Sequence, residues 1–329
     1  MELTRRHALA GAAALAASPL LPSAPANAAA PMADKQAPSF YRYKVGDVQV
    51  TVISDGVNTF ALGDSFILNA KKDEVAAALE KAYMPKDKVS IQFGPLVINS
   101  GGKLIVLDTG NGPGAFASSK GAVGQFATNM AAAGFDPKAV DMVVISHFHG
   151  DHINGLLNAE GTSAFANAEV LVPSVEWKYF MDDGELAKQT GERMQGVFKN
   201  ARRVFEAGLK KKVTPYEWGK EVAPGLLAVE TAGHTPGHTS YVLSSGSGKV
   251  FIQSDVTNVP YLFAANPGWH AFFDQDAEMA EKARRKTYDM LVAEKLQVQG
   301  FHYPFPGLGN VEKDGNGYRV IPAPWNPVI

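Results

Sequence analysis

The chain has 329 residues, 46% of them apolar and 19% charged, with a formal net charge of −2. That balance is ordinary for a soluble globular protein and gives no electrostatic case for nucleic acid or an anionic membrane as a partner. Cysteine is absent, which excludes disulfides, thiolate nucleophiles and sulfur-ligated zinc, so any metal must be held by nitrogen and oxygen.

The opening stretch, MELTRRHALAGAAALAASPLLPSAPANAAAP, reads as an export signal. It carries basic Arg5 and Arg6, an apolar run from Ala8 to Leu21, and an A-x-A site at Ala26-Asn27-Ala28. Pro19 and Pro22 interrupt a run already too short to span a bilayer. Adjacent arginines behind Thr4 favour the twin-arginine route over the general secretory one. The expectation is a signal peptide over 1–28, a flexible Ala/Pro-rich arm over 29–40, and a periplasmic or secreted mature protein without a membrane span.

From there, apolar runs alternate with turn signals. VQVTVIS (48–54) has the alternation and β-branching of a strand, and EVAAALEKAY (74–83) the pattern of a helix. Residues 88–110 read as strands joined by a hairpin turn at Ser100-Gly101-Gly102-Lys103. A helix over 124–135 is stopped by Gly134, and DMVVIS (141–146) is a buried strand. The charged, aromatic stretch 174–212 reads as a helical insertion and a candidate lid. The second half repeats the scheme, with strands at 226–232, 240–245 and 250–255 and a turn at 246–249. An amphipathic helix over 276–295 opens on Asp276 as N-cap and leads into a strand at 296–302. No linker divides residues 40–329, so the expected fold is α/β, one domain over 41–329 built from two related halves.

The strand at 141–146 runs into SHFHGDH (146–152), three histidines and an aspartate within six positions, in a chain with only 8 histidines. Histidines two apart on extended backbone project to one side, here His147 and His149. Asp151 and His152 follow where the chain turns at Gly150, at a second angle. Four such donors at two angles suit a pair of neighbouring cations better than one tetrahedral zinc, which would have no position left for water.

HFHGDH resembles the HxHxDH signature of the metallo-β-lactamase superfamily. Further elements follow in the superfamily's order: LIVLDTG (104–110), TAGHTPGHTS (231–240), FIQSD (251–255) and GFHYPFPGLG (300–309). The resemblance covers roughly 45–325 and is greatest to exported members, the methyl parathion hydrolase-like and lactonase-like proteins. It implies a four-layer αββα sandwich. It also implies that His147, His149 and His234 hold one divalent cation, that Asp151, His152 and His302 hold the other, and that Asp255 bridges them. Asp108 and His238 would orient ligand imidazoles. A homodimer is implied on the same ground.

Two cations sharing a water lower its pKa toward about 7, which gives hydroxide for attack on ester-like bonds. Asp255 and Asp151 would place that water. Zn²⁺ suits the donors, as Mn²⁺, Fe²⁺ or Co²⁺ could. The absent cysteine and the histidine at 149 are unlike the thiolate-ligated and flavodiiron branches of the superfamily. Lactones are the expected substrates, organophosphate triesters the alternative, and a non-catalytic periplasmic metal-binding protein the alternative of another class. Tyr261, six places after Asp255, is the candidate to polarise the carbonyl, in the role the resemblance gives to a tyrosine. Trp177, Phe180, Trp269, Phe272 and Phe273 are candidates to line an apolar substrate pocket. His270 belongs to no motif and reads as a loop histidine.

Overall fold

Alternating β-branched residues start the first sheet. β1 (Phe40–Val45) and β2 (Val48–Ile53) pair antiparallel across a two-residue turn in which Gly46 has φ +56°. The computed structural model describes residues 32–34, 36–206, 209 and 213–329. The expected signal peptide and the first residues of the expected arm lie outside the described residues. Pro38–Ile329 form one unit.

Along that unit follow β3 (Gly56–Ala61), β4 (Lys88–Phe93), β5 (Leu96–Ser100), β6 (Lys103–Leu107), β7 (Met142–Val144), β8 (Glu169–Pro173) and β9 (Val213–Tyr216). One seven-stranded sheet has the order β1-β2-β5-β6-β7-β8-β9. The β5–β6 hairpin closes at Ser100↔Lys103, with Gly101 at φ +56° and Gly102 at φ +75°, left-handed values that glycine adopts without a steric cost. Beyond β6 the pairing turns parallel, so each connection must cross over with helical chain between strands. β3 and β4 leave this sheet to form a two-stranded sheet of their own, with Gly56 also bridged to Val123.

The second half supplies β10 (Glu221–Ala223), β11 (Leu226–Glu230), β12 (Thr239–Ser245), β13 (Gly248–Ser254), β14 (Gln297–Gly300), β15 (Leu308–Asp314) and β16 (Gly317–Pro322). These form a second seven-stranded sheet in sequence order. Its one parallel pair, β13 with β14, is joined through the helix Ala277–Glu294, whose N-cap Asp276 accepts from the Met279 N–H.

The pleat sorts the side chains into layers. Ile98, Ile105 and Val144 point to one face and meet Tyr241, Leu243, Val250 and Ile252 of the second sheet, which is the core between sheets. Their neighbours Val97, Val106 and Val143 point outward against Phe126, Met130, Phe198 and Phe205 on helices. Phe251 points outward from the second sheet against Tyr288 and Leu291 of Ala277–Glu294. Helices thus cover both outer faces, giving the αββα order. Each fully buried aliphatic side chain in these layers contributes about 1.5–3 kcal/mol.

Within 174–212 lie three helices, Ser174–Phe180, Asp183–Lys188 and Glu192–Glu206, while residues 207, 208 and 210–212 lie outside the described ones. The last helix buries Phe198, Ala201, Val204 and Phe205 against the first sheet. This stretch is therefore largely a packed outer layer, not a free lid, because its apolar spacing matches the sheet it covers.

Candidate metal centre

Strand ends gather the chemistry. After β7, the His147 and His149 rings meet 4.8 Å apart while Phe148 between them turns into the core, fully buried. The short helix Gly150–Ile153 then swings Asp151 and His152 in from a second angle. Gly155 just beyond has no room for a side chain, since a Cβ there would lie 1.9 Å from the Thr109 carbonyl oxygen. His234 sits in the β11–β12 loop, Asp255 directly after β13, and His302 two residues after β14. Asp108 and Ser254, at the ends of β6 and β13, hold φ of +59° and +51°, unusual for residues with side chains.

Two donor groups result. His147 Nε2 lies 3.2 Å from His149 Nδ1, which lies 2.9 Å from His234 Nε2. Tetrahedral ligands at a zinc–nitrogen distance near 2.0–2.1 Å stand about 3.3 Å apart, so this spacing fits a face of one coordination sphere. In the second group, Asp151, His152, Asp255 and His302 bring donor atoms within 4.8 Å of one another. Asp255 belongs to both: Oδ2 is 3.3 Å from His234 Nε2 and 2.9 Å from His302 Nε2, and Oδ1 is 3.2 Å from His152 Nε2. Asp255 Oδ1 and His152 Nε2 are buried with no hydrogen-bond partner, which is costly unless something else binds them.

The far ring nitrogens are tied down, which leaves the inward ones as lone pairs. His234 Nδ1 donates to Asp274 Oδ1 at 2.8 Å, His152 Nδ1 to Asp108 Oδ2 at 2.8 Å, and His302 Nδ1 to the Gln92 carbonyl at 2.7 Å. Asp108 is held by the Ser146 N–H at 2.8 Å. His238 lies near His147 and Asp255, but its Nε2 accepts from the Asp255 N–H at 3.0 Å and its Nδ1 faces the Thr231 carbonyl at 3.0 Å. It has no lone pair to spare, and it orients Asp255.

Burial, aided by neighbouring imidazoles, holds His147 and His149 well below the ordinary histidine value, which favours the neutral ring that a metal needs. Burial also pushes His152 and His302 down, but the carboxylates of Asp255 and Asp151 outweigh it and hold both above that value. For Asp255, burial is outweighed by His302 and His152, and its carboxyl stays well below the carboxylate range. Asp151 is held at about 2, with burial outweighed chiefly by His152. Such a field binds protons at the imidazoles, and a divalent cation takes their place. The residues therefore fit two divalent cations, with His147, His149 and His234 on one side, Asp151, His152 and His302 on the other, and Asp255 between.

The donors open into a cavity of about 330 Å³ lined also by Asn58, Phe60, Ile91, Phe93, Arg193, Asn258, Phe272 and Phe273. Phe272 and Phe273 thus line it as the sequence suggests. Trp177 and Phe180 do not: they stack behind the ligand loop, Phe180 5.7 Å and Trp177 6.4 Å from Phe148. Trp269 packs with Leu262 and Phe263 in a neighbouring cluster. Tyr261 is also displaced from its expected role, because the helix Pro260–Phe263 turns it toward a separate cavity beside Tyr303 and Tyr318. His270 pairs with Glu281, 2.9 Å away.

Sequence reasoning missed two carboxylates. Asp274 orients His234 and is paired with buried Arg284 at 3.3 Å. Glu176, fully buried, accepts from the Phe148 N–H at 2.9 Å and the Gly237 N–H at 2.7 Å, so it clamps two ligand loops together. A Cβ on Gly237 would meet the Glu176 nitrogen at 2.3 Å, which explains the glycine in TAGHTPGH. Burial pushes the Glu176 carboxyl up to about 7. Neither residue had a signal in the sequence beyond being a carboxylate beside aromatic residues.

Comparison with known proteins agrees with this geometry. A family model described as the metallo-beta-lactamase superfamily matches residues 96–293, more than half of the chain. An N-acyl homoserine lactonase from Bacillus sp is 26% identical over 190 residues, covering 57% of this chain and 63% of that protein. Anti-Pycsar protein Apyc1 from Paenibacillus sp. (strain J14) is 27% identical over 123 residues, covering 37% of this chain and 49% of its own. The chain thus spans less than two thirds of the length of these curated relatives. Among solved structures, the dizinc quorum-quenching lactonase AidC superposes with a TM-score of 0.80 at 23% identity, covering 87% of this chain and 98% of that one. The hydrolase AbOPH of the beta lactamase superfamily superposes with a TM-score of 0.80 at 27% identity, covering 89% and 100%. With the αββα order, the donor set and the family match in agreement, the chain belongs to the metallo-β-lactamase superfamily.

Proposed function

We propose that this protein is an exported hydrolase, dependent on two divalent cations, that opens lactones. The observation that carries the reading is Asp255, whose two oxygens face the two imidazole groups from between them. Imidazole and carboxylate donors without thiolate suit Zn²⁺ first, and also Mn²⁺, Fe²⁺ or Co²⁺. Bound there, a cation pair supplies Lewis acidity to a carbonyl or phosphoryl oxygen and an activated water near neutral pH. The chain's own residues do the rest. Asp255 fixes the spacing of the two halves of the site, and Asp151, the most exposed ligand carboxylate, faces the cavity. Phe60, Ile91, Phe93, Phe272 and Phe273 give the cavity an apolar wall that excludes bulk water from the ester. Asn258, buried with its Oδ1 unpartnered, offers an amide N–H to a carbonyl oxygen where a tyrosine was expected.

Lactones lead because several curated relatives are named N-acyl homoserine lactonases. A phosphotriester would present the same pair of oxygens, and a retired metal-binding protein would be expected to have lost a donor, which this set has not. The test is a panel of N-acyl homoserine lactones, aryl lactones and a methyl phosphotriester, with metal-replete protein. Turnover of lactones, abolished by chelation and restored by Zn²⁺ or Mn²⁺, supports the reading; turnover of the phosphotriester alone reassigns the substrate; two bound metals without turnover removes the enzyme. Export rests on Arg5-Arg6, the apolar run and Ala26-Asn27-Ala28. It predicts that the secreted protein begins at Ala29, and an intact Met1 in the cell interior would refute it.

A further inference from the structure

Among the described side chains lining the metal cavity, one carries a permanent positive charge: Arg193, at the start of Glu192–Glu206. Its guanidinium lies 5.7 Å from the Phe272 ring centroid. Phe272 stands 5.2 Å from Phe273, which in turn stands 5.7 Å from the ring of His234. Arg193 is itself exposed, so it stands on the open side of the cavity, and Phe272 and Phe273 form a chain of ring contacts from it to His234. Among the described residues it makes no hydrogen bond or ion pair, unlike Arg202, Arg203, Arg284, Arg285 and Arg319. A guanidinium offers five N–H donors in a rigid fork that matches a carbonyl or carboxylate. The ring beneath it fixes the fork's position, which reduces the ordering cost of using it.

We propose that Arg193 is a specificity-determining residue that selects lactones carrying an oxygen acceptor, an amide carbonyl or a carboxylate, on the side chain remote from the scissile ester. This deepens the lactonase reading and rests on it. A substrate seated with its ester at the metal ligands must extend its other end past Phe273 and Phe272 to the rim. An alkyl group there uses only the rings, whereas an oxygen acceptor also fills the fork. The cavity carries two ligand carboxylates, whose charge two divalent cations more than cancel, so nothing in it repels an anionic tail.

The experiment compares three γ-lactones of equal size whose side chains are alkyl, acylamino or carboxyalkyl, using metal-replete wild type, Arg193→Met and Arg193→Lys. Met keeps a stem over Phe272 and removes the fork. In Arg193→Met the kcat/KM ratio of each acceptor-bearing lactone to the alkyl lactone should fall about fivefold, within the range of a solvent-exposed charge-assisted contact. Arg193→Lys should keep part of the carboxyalkyl preference and lose the acylamino one, since lysine retains charge without the fork. Calorimetric binding of the matching lactams, which are not opened, should show the same loss of discrimination. Ratios and lactam affinities that move alike for all three side chains, or do not move, overturn the proposal. If wild type opens none of the lactones the lactonase reading falls, and the lactam affinities still decide the role of Arg193.

Discussion

Above pH 7, where its buried carboxyl is ionised, Glu176→Gln removes one negative charge and swaps one oxygen for nitrogen with almost no change in shape. In the wild type its two oxygens accept from the Phe148 N–H at 2.9 Å and the Gly237 N–H at 2.7 Å. Phe148 lies between ligands His147 and His149, and Gly237 three residues after His234, so one carboxylate fixes both loops of the first cation group. Glutamine can accept from one N–H only, and its amide group must then face the other. That leaves a buried backbone N–H and a buried amide N–H unsatisfied, at about 1–3 kcal/mol each. Unfolding of the chelated protein in urea should therefore show a loss of about 2–6 kcal/mol. Metal affinity reports on the clamp itself. Competition against a chromophoric chelator should show one cation bound at least tenfold more weakly, as the three imidazoles lose their shared alignment. Unchanged affinity at both sites, or equal weakening of both, with stability lowered, would make Glu176 a packing residue and refute the clamp.

Asp274→Ala strips His234 of its acceptor and leaves Arg284 buried without its carboxylate; zinc affinity should fall 10–100-fold by competition titration, and unchanged affinity would contradict the role given to Asp274. Asp55 accepts from the Asn111 and Phe126 N–H groups, and burial pushes its carboxyl up to about 6 from 3.8. Because the folded value lies above the unfolded one, its contribution is full below 3.8 and is lost as pH rises through about 6, some 3 kcal/mol in all. Unfolding free energies of chelated wild type and Asp55→Asn, from urea titrations, should diverge by most of that amount between pH 4 and 7, whereas parallel curves would refute the assignment. Tyr261→Phe should leave lactone kcat within about twofold, since its ring faces another cavity; a hundredfold loss would return Tyr261 to the site.

The convergence of the His and Asp donors was legible because they are written in short ordered patterns, each at the end of an apolar run. His147, His149, Asp151 and His152 share one loop of the first sheet; the antiparallel β11–β12 connection of the second sheet supplies His234, and the parallel β13–β14 crossover sets His302 beside Asp255. The pocket was less legible. Trp177 and Phe180 have the same apolar character as Phe272 and Phe273, and only the direction of their helix sends them behind the ligand loop. Tyr261 was misplaced for the same reason: a spacing in sequence does not fix which side of a four-residue helix a ring takes. The strand pattern of β4 was visible, but its departure from the main sheet to pair with β3 depends on partners distant in sequence. Glu176 and Asp274 carry no motif, because what they hold is backbone N–H and a ring nitrogen brought to them by the fold.

Seven side chains converging on two cations are the centre of this account, and metal content measures that directly. Zinc titrated into the chelated protein should saturate at two per chain, and at one per chain in Asp255→Ala, which removes the shared carboxylate. Saturation of the wild type at one, or an unchanged count in Asp255→Ala, would contradict a bridged pair.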